Sequence, residues 1–277
     1  MVQLSCFGDE IASDIETQIE VMTKNRIPCL ELRTADGVPV LSLDDDHARI
    51  VKGKLDAAGI KVSAIGSPIG KIKISDPFEP HLEAFRRAIE LAGLFGTQHI
   101  RLFSYFIPEG DDPAQYRDEV MARMSAKAEV AEEAGVLMMH ENERDIYGDT
   151  AARCEDIVET VGSSALKHII DPANFVMCGV KPFDDAYARY GAETTYFHIK
   201  DAVAATNEVV VAGDGDGQIA QILDALKKRD FSGILSLEPH LQMAGRSKGF
   251  TGPDLFAKAA AALRAIMNDV GLDEEPL

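Results

Sequence analysis

Residues 196–202 read YFHIKDA, a run that passes from two aromatic rings to a histidine, an isoleucine, a lysine and an aspartate. A strand buried on both faces of a parallel sheet is continuous and apolar, so an apolar run with polar groups at its tip marks a strand whose end carries chemistry. Seven further runs have the same character: VQLSCF after the initial Met, PCLELR at 28–33, IKVSAIG at 60–66, HIRLFS at 99–104, VLMMHE at 136–141, HIID at 168–171 and GILSLE at 233–238. Between them lie helical patterns. An acidic segment spans 14–25, and apolar stripes recur at Leu82, Phe85, Ile89 and Ala92, at Cys154, Ile157, Val158 and Val161 (closed by Gly162), and at Ile219, Ile222, Leu223 and Leu226. Strict alternation of strand and helix implies parallel strands joined by crossovers. Eight such units in a chain of this length suit a (β/α)8 TIM barrel of roughly 250 residues. A doubly wound open sheet is the rival, but CFGDEI stands after the first strand where that fold places a glycine-rich phosphate turn. The expectation is an α/β protein with one barrel domain over residues 1–277.

Composition narrows the function. The chain has 277 residues, 46% hydrophobic and 27% charged, in the range of folded globular proteins. Its 28 Lys and Arg against 46 Asp and Glu give a net charge of −18, which disfavours nucleic acid as a partner. No basic leader opens the sequence and no run of about 18 apolar residues follows, so a membrane partner is not expected. Cys6, Cys29, Cys154 and Cys178 show neither CxxC spacing nor the density of a disulfide scaffold, which points to a reduced, cytoplasmic setting. Beyond a small-molecule substrate, the expected partners are further copies of the chain in a homo-oligomer, dimer or tetramer.

In a barrel the reactive groups come from the C-terminal ends of the strands. Strands five to eight end in Glu141, Asp171, His198 and Glu238, and Asp171 and Glu238 each precede a proline that holds them extended. Singly, each has a structural explanation: Asp-Pro opens turns, and a lone strand-end histidine is commonly hydrogen-bonded. Together, four adjacent tips carrying oxygen or nitrogen donors after apolar runs form a set that a divalent cation would hold. Three carboxylates and one imidazole are a hard, oxygen-rich donor set, suited to Mn²⁺, Mg²⁺ or Co²⁺ and less typical of structural zinc. Period-two alternation places Tyr196, His198 and Lys200 on one face of their strand, while Asp201 faces the other way and can orient loops. His140 and His240 are expected on the side opposite the neighbouring glutamates.

At these residues the chain resembles the sugar phosphate isomerase/epimerase family of xylose isomerase-like barrels, which includes ketose 3-epimerases, inosose dehydratases and endonuclease IV. The resemblance spans the chain and is most specific at MMHENE (138–143), IIDPANF (169–175), YFHIKD (196–201), AGDGDG (212–217) and LSLEPH (235–240). It implies one divalent ion, Mn²⁺ first with Mg²⁺, Co²⁺ or Zn²⁺ as alternatives, on Glu141, Asp171, His198 and Glu238, with Glu141 and Glu238 as the acid–base pair. The implied function is a metal-dependent isomerase or epimerase of carbohydrate metabolism, acting by proton abstraction from a sugar or sugar-derived keto compound to a metal-bound enediolate. Proton return to the opposite face gives epimerisation and to the neighbouring carbon isomerisation. The alternative is a dehydratase or lyase of a keto-sugar or keto-inositol on the same site. Ketose 3-epimerases carry a histidine where this chain has Asn174, and an arginine shortly after the metal histidine where it reads KDAVAA. Lys200, Asn174 and Arg101 are therefore the expected substrate contacts, on a ligand other than a simple free ketohexose. An endonuclease IV-like AP nuclease would need three zinc ions and more strand-tip histidines than the seven histidines here supply. A non-catalytic sugar binder would lack one of the two glutamates.

Overall fold

Each of the eight apolar runs forms a strand in the computed structural model, which describes residues 1–245 and 248–275. They are β1 (Val2–Phe7), β2 (Cys29–Leu32), β3 (Lys61–Ile65), β4 (His99–Leu102), β5 (Leu137–Glu141), β6 (Leu166–Ile170), β7 (Tyr196–Ile199) and β8 (Gly233–Leu237). All pair in parallel and in chain order, and β1 closes on β8 from Val2 opposite Gly233 to Cys6 opposite Leu237. The helices are α1 (Ile15–Lys24), α2 (Asp45–Ala57), α3 (Glu79–Phe95), α4 (Arg117–Ala134), α5 (Ala151–Val161), a short α6 (Pro172–Met177), α7 (Ile219–Lys228) and α8 (Pro253–Val270). A π-helical stretch, Pro182–Gly191, completes the crossover from β6 to β7.

Local signals set the helix limits. Asp14, Asp44 and Thr150 each accept a backbone N–H three residues on, leaving fewer orphan donors in the first turns of α1, α2 and α5. Gly162 closes α5 at φ 63°, the left-handed geometry that glycine adopts without a Cβ penalty.

Two cores result. Outward side chains such as Val2, Leu4, Leu30 and Leu235 pack with the helices. Inside the barrel Ala64, Met139, Ile169, Tyr196 and Ile234 fill the lower cavity. A bulge between β2 and β3 pairs Leu30 with Val62 but Glu31 with Ala64. The intervening Ser63 bonds Ser5 Oγ at 2.7 Å and Tyr196 OH at 3.1 Å, making a polar layer above the apolar one. Short hairpins follow β2 (Thr34–Ala35 with Val38–Pro39), β7 (Asp201–Val203 with Glu208–Val210) and β8 (Met243–Gly245 with Lys248–Phe250). The residue pairs Lys73–Phe106 and Phe106–Ile146 tie the loops after β3, β4 and β5 together. These loops and hairpins wall the C-terminal end of the barrel.

Candidate metal centre

Because β5, β6, β7 and β8 are successive staves, their tips converge. Glu141 is the last residue of β5, and Asp171 and Glu238 follow β6 and β8 directly; His198 lies within β7. One donor atom from each of the four lies within 4.8 Å of the others, and all four side chains are buried. His198 Nδ1 is 3.1 Å from Glu141 Oε1, 3.6 Å from Glu238 Oε2 and 3.7 Å from Asp171 Oδ2.

Each donor is held from behind. Asp171 caps α6 through Oδ1, which accepts Asn174 N–H at 2.8 Å, leaving Oδ2 for the cluster. Asn142 bonds the Asp171 backbone at both its N–H and its C=O. Asn174 Nδ2 donates to Glu141 Oε1 at 3.2 Å and to Asn142 O at 3.0 Å. On the far side of the His198 ring, Nε2 lies 3.2 Å from Glu31 Oε2, which also accepts from Tyr196 OH (2.6 Å) and Ser236 Oγ (2.9 Å). A carboxylate on one imidazole nitrogen directs the lone pair of the other forward, an arrangement typical of metal-ligating histidines.

Three fixed cations surround the cluster. Arg101 donates to Glu141 Oε2 at 3.1 Å and reaches Glu238 Oε1 at 4.0 Å. Lys200 Nζ lies 2.9 Å from Asp171 Oδ2 and 3.2 Å from Glu238 Oε2. Arg33 contacts Asp9, Glu10 and Glu238. Burial alone would raise the Glu141 carboxyl, but the nearby His198 and Arg101 outweigh it and hold it below the usual range. Glu238 is likewise penalised by burial and held well down by Lys200, His240 and Arg33. Burial would deprotonate His198, yet Glu141 and Glu31 drive its imidazole well above its ordinary value.

A divalent ion fits this set. Asp171 Oδ2 and His198 Nδ1 are buried and have no hydrogen-bond partner among the described residues, the Lys200 contact to Oδ2 being an ion pair without hydrogen-bond alignment. Six carboxylates, Asp9, Glu10, Glu31, Glu141, Asp171 and Glu238, face three fixed cations, Arg33, Arg101 and Lys200. A bound divalent cation would reduce this excess of negative charge, and buried carboxylates are costly without such compensation. The donor chemistry accepts manganese, magnesium or zinc.

The four expected ligands are thus brought together. The three expected substrate contacts, Lys200, Asn174 and Arg101, are all buried and touch the ligand carboxylates directly. Asp201 points away, as its strand position implies, and gathers loop N–H groups. His140 is on the outer side of β5, against Gly148. His240 is a correction: it was expected to face away, yet Nε2 lies 2.9 Å from Glu10 Oε1 and 3.3 Å from Glu238 Oε1. It stands two residues after Glu238, not one, and its φ of 47° turns the chain back over the mouth. Glu31, Arg33 and Glu10 also belong to the centre without having been expected there. In CLELR the period-two rule puts Glu31 and Arg33 on one face, which was the available signal.

A family described as xylose isomerase-like TIM barrel matches residues 27–266. No curated protein sequence matches the chain. Among solved structures, a D-tagatose 3-epimerase-like protein superposes with a TM-score of 0.79 at 16% identity, over 98% of each chain. The probable 3-DHS dehydratase AsbF of Bacillus anthracis, involved in petrobactin synthesis, gives 0.76 at 18% identity over 95% of this chain and 99% of its own. The IOLI protein with a bound zinc atom gives 0.75 at 17% identity over 97% and 98%. At these identities the likeness is one of fold.

Proposed function

The chain belongs to the xylose isomerase-like TIM barrel family, and from that premise we propose that it is a divalent-metal-dependent isomerase or epimerase of a sugar or sugar-derived keto compound, built as one barrel domain. The observation that carries this reading is the convergence of the Glu141, Asp171, His198 and Glu238 donor atoms within 4.8 Å at buried strand tips. These four residues would hold the ion. When bound, it would supply a Lewis acid that stabilises negative charge growing on a substrate oxygen.

The chain's own residues do the rest. Glu141 and Glu238 are the acid–base pair: one takes the proton from the carbon beside the carbonyl, and the other returns a proton to the opposite face or to the next carbon. Their neighbours favour the carboxylate of each, the form the abstracting glutamate requires; its partner must first take a proton from solvent, which it then gives to the substrate, and the pair ends with the proton on the abstracting residue. Arg101, reaching both glutamates, and Asn174, on Glu141, limit their movement. Lys200, whose ammonium contacts Asp171 and Glu238, would orient a substrate oxygen. Burial of the pair excludes bulk water, which strengthens each of these interactions.

A dehydratase shares the first step and differs in expelling a β-hydroxyl; the dehydratase among the structural neighbours keeps that reading in view. The test is a panel of keto sugars and keto-inositols incubated with chelated and with metal-reloaded protein, with products identified by NMR and mass. An isomer or epimer of unchanged mass, formed only after reloading, is expected. A product lighter by one water would move the assignment to the dehydratase, and turnover that survives chelation would remove the metal from the mechanism.

A further inference from the structure

Glu238 belongs to two clusters, one on each oxygen. Oε2 faces inward to His198 and Lys200, at 3.6 and 3.2 Å. Oε1 faces outward and joins Glu10 and His240, whose donor atoms, together with one of Glu238, also lie within 4.8 Å of one another. This outer group has the make-up of a second cation site, two carboxylates and an imidazole. It is built independently of any cation: Glu10 Oε2 accepts Thr251 Oγ1–H at 2.7 Å and His240 N–H at 3.1 Å, which leaves Oε1 directed at Glu238 and His240.

The place a second ion would take is filled by a side chain. Arg33 Nη1 lies 2.6 Å from Glu238 Oε1 and Nη2 3.0 Å from Glu10 Oε1, the two oxygens that His240 Nε2 faces. Its third nitrogen, Nε, donates to Asp9 Oδ2 at 2.8 Å, and its guanidinium lies 4.5 Å over the Phe7 ring. Three carboxylates on three nitrogens and an aromatic face fix the group in one orientation. In the inner cluster Lys200 contacts Asp171 and Glu238 through a single ammonium and Arg101 donates to Glu141 Oε2, while Asp171 Oδ2 and His198 Nδ1 keep no hydrogen-bond partner among the described residues.

We propose that Arg33 stands in the outer cluster as a built-in cation in place of a metal ion, so that the centre accepts one divalent ion and only Oε2 of Glu238 is turned toward it. The inference rests on the metal reading of the inner cluster. Arg33 acts here as a positioning residue, holding Glu238 from behind.

The experiment counts metal. Wild-type protein and Arg33→Ala, Arg33→Lys and Arg33→Ala/His240→Ala variants are loaded with excess Mn²⁺, desalted and analysed for manganese per folded chain. One ion is expected in the wild type, two in Arg33→Ala, one in Arg33→Lys, where a cation is restored, and one in the double variant, where the new site has lost a donor. One ion in folded Arg33→Ala overturns the proposal while leaving the inner site intact. No ion in the wild type removes the metal reading and this inference with it. Should Arg33→Ala not fold, calorimetric titration of the wild type with Mn²⁺ decides: a single binding event supports the proposal, and a second ion bound beside Arg33 overturns it.

Discussion

At the scale of single residues, a lysine outside the candidate metal centre is expected to set a measurable part of the stability. Lys127 on α4 is completely buried, its Nζ has no hydrogen-bond partner among the described residues, and it lies 4.7 Å over the Tyr105 ring. Burial, with Arg123 nearby, pulls the ammonium from its ordinary 10.5 down to about 7. Between those values the unfolded chain holds the proton and the folded chain does not. This residue therefore makes the protein more stable as pH rises through that window, by at most about 1.4 kcal/mol per pH unit, and adds no slope below it. Lys127→Met keeps the apolar stem and removes the charge. It is expected to raise stability at pH 7 by about 2 kcal/mol and to flatten the rise, as read by urea unfolding from pH 6 to 9.5. A variant with the wild-type slope would show that Lys127 is solvated. Nothing in the residue order marked Lys127 as buried, because a lysine in a helix reads as solvent-facing. The four candidate donors were legible for the opposite reason: polar residues ending apolar runs are anomalous. Glu31 and Arg33 escaped because a polar residue inside or just past a short strand reads as an edge feature until the barrel closes around it.

At the scale of elements, the segment after β7 shows how a strand tip organises a loop. The Asp201 carboxylate accepts backbone N–H groups from Ala202 (2.9 Å), Gly213 (2.8 Å), Gly215 (3.2 Å) and Gly217 (2.8 Å). A Cβ on Gly215 or Gly217 would fall 2.4 or 2.6 Å from Asp201 Oδ1, which explains why the wrapping segment reads AGDGDG. Asp201→Ala leaves these N–H groups without their acceptor. It is expected to cost about 2–4 kcal/mol and to open residues 211–217 to proteolysis, while far-UV circular dichroism stays that of a barrel. Protease resistance equal to the wild type would mean that the loop is held by other contacts. All eight barrel strands could be read in advance because each is an apolar run bounded by turn residues. The hairpins and the π-helical stretch could not, since pairs of two or three residues carry no periodicity and a π-turn shares the helical pattern. The β6 boundary also shifted. The strand begins at Leu166, and Asp171 lies beyond it as the cap of α6.

At the scale of the whole molecule, four residues scattered over nearly a hundred positions of sequence become one site because β5 to β8 are consecutive staves of a closed barrel. Closure also brings Glu31 from β2 behind His198 and Arg33 behind Glu238, across more than 160 residues of chain. In the proposed reaction this site removes a proton beside a carbonyl with metal present. The most direct measurement incubates the metal-loaded protein with a turned-over keto substrate in D₂O and follows deuterium at the carbon beside the carbonyl, or at its neighbour. The expected result is incorporation that stops on chelation and falls by roughly 10² or more in Glu141→Gln and Glu238→Gln compared at equal metal loading. Product formed with neither solvent deuterium nor internal hydrogen transfer, or full rates in both glutamine variants, would contradict proton abstraction by this pair.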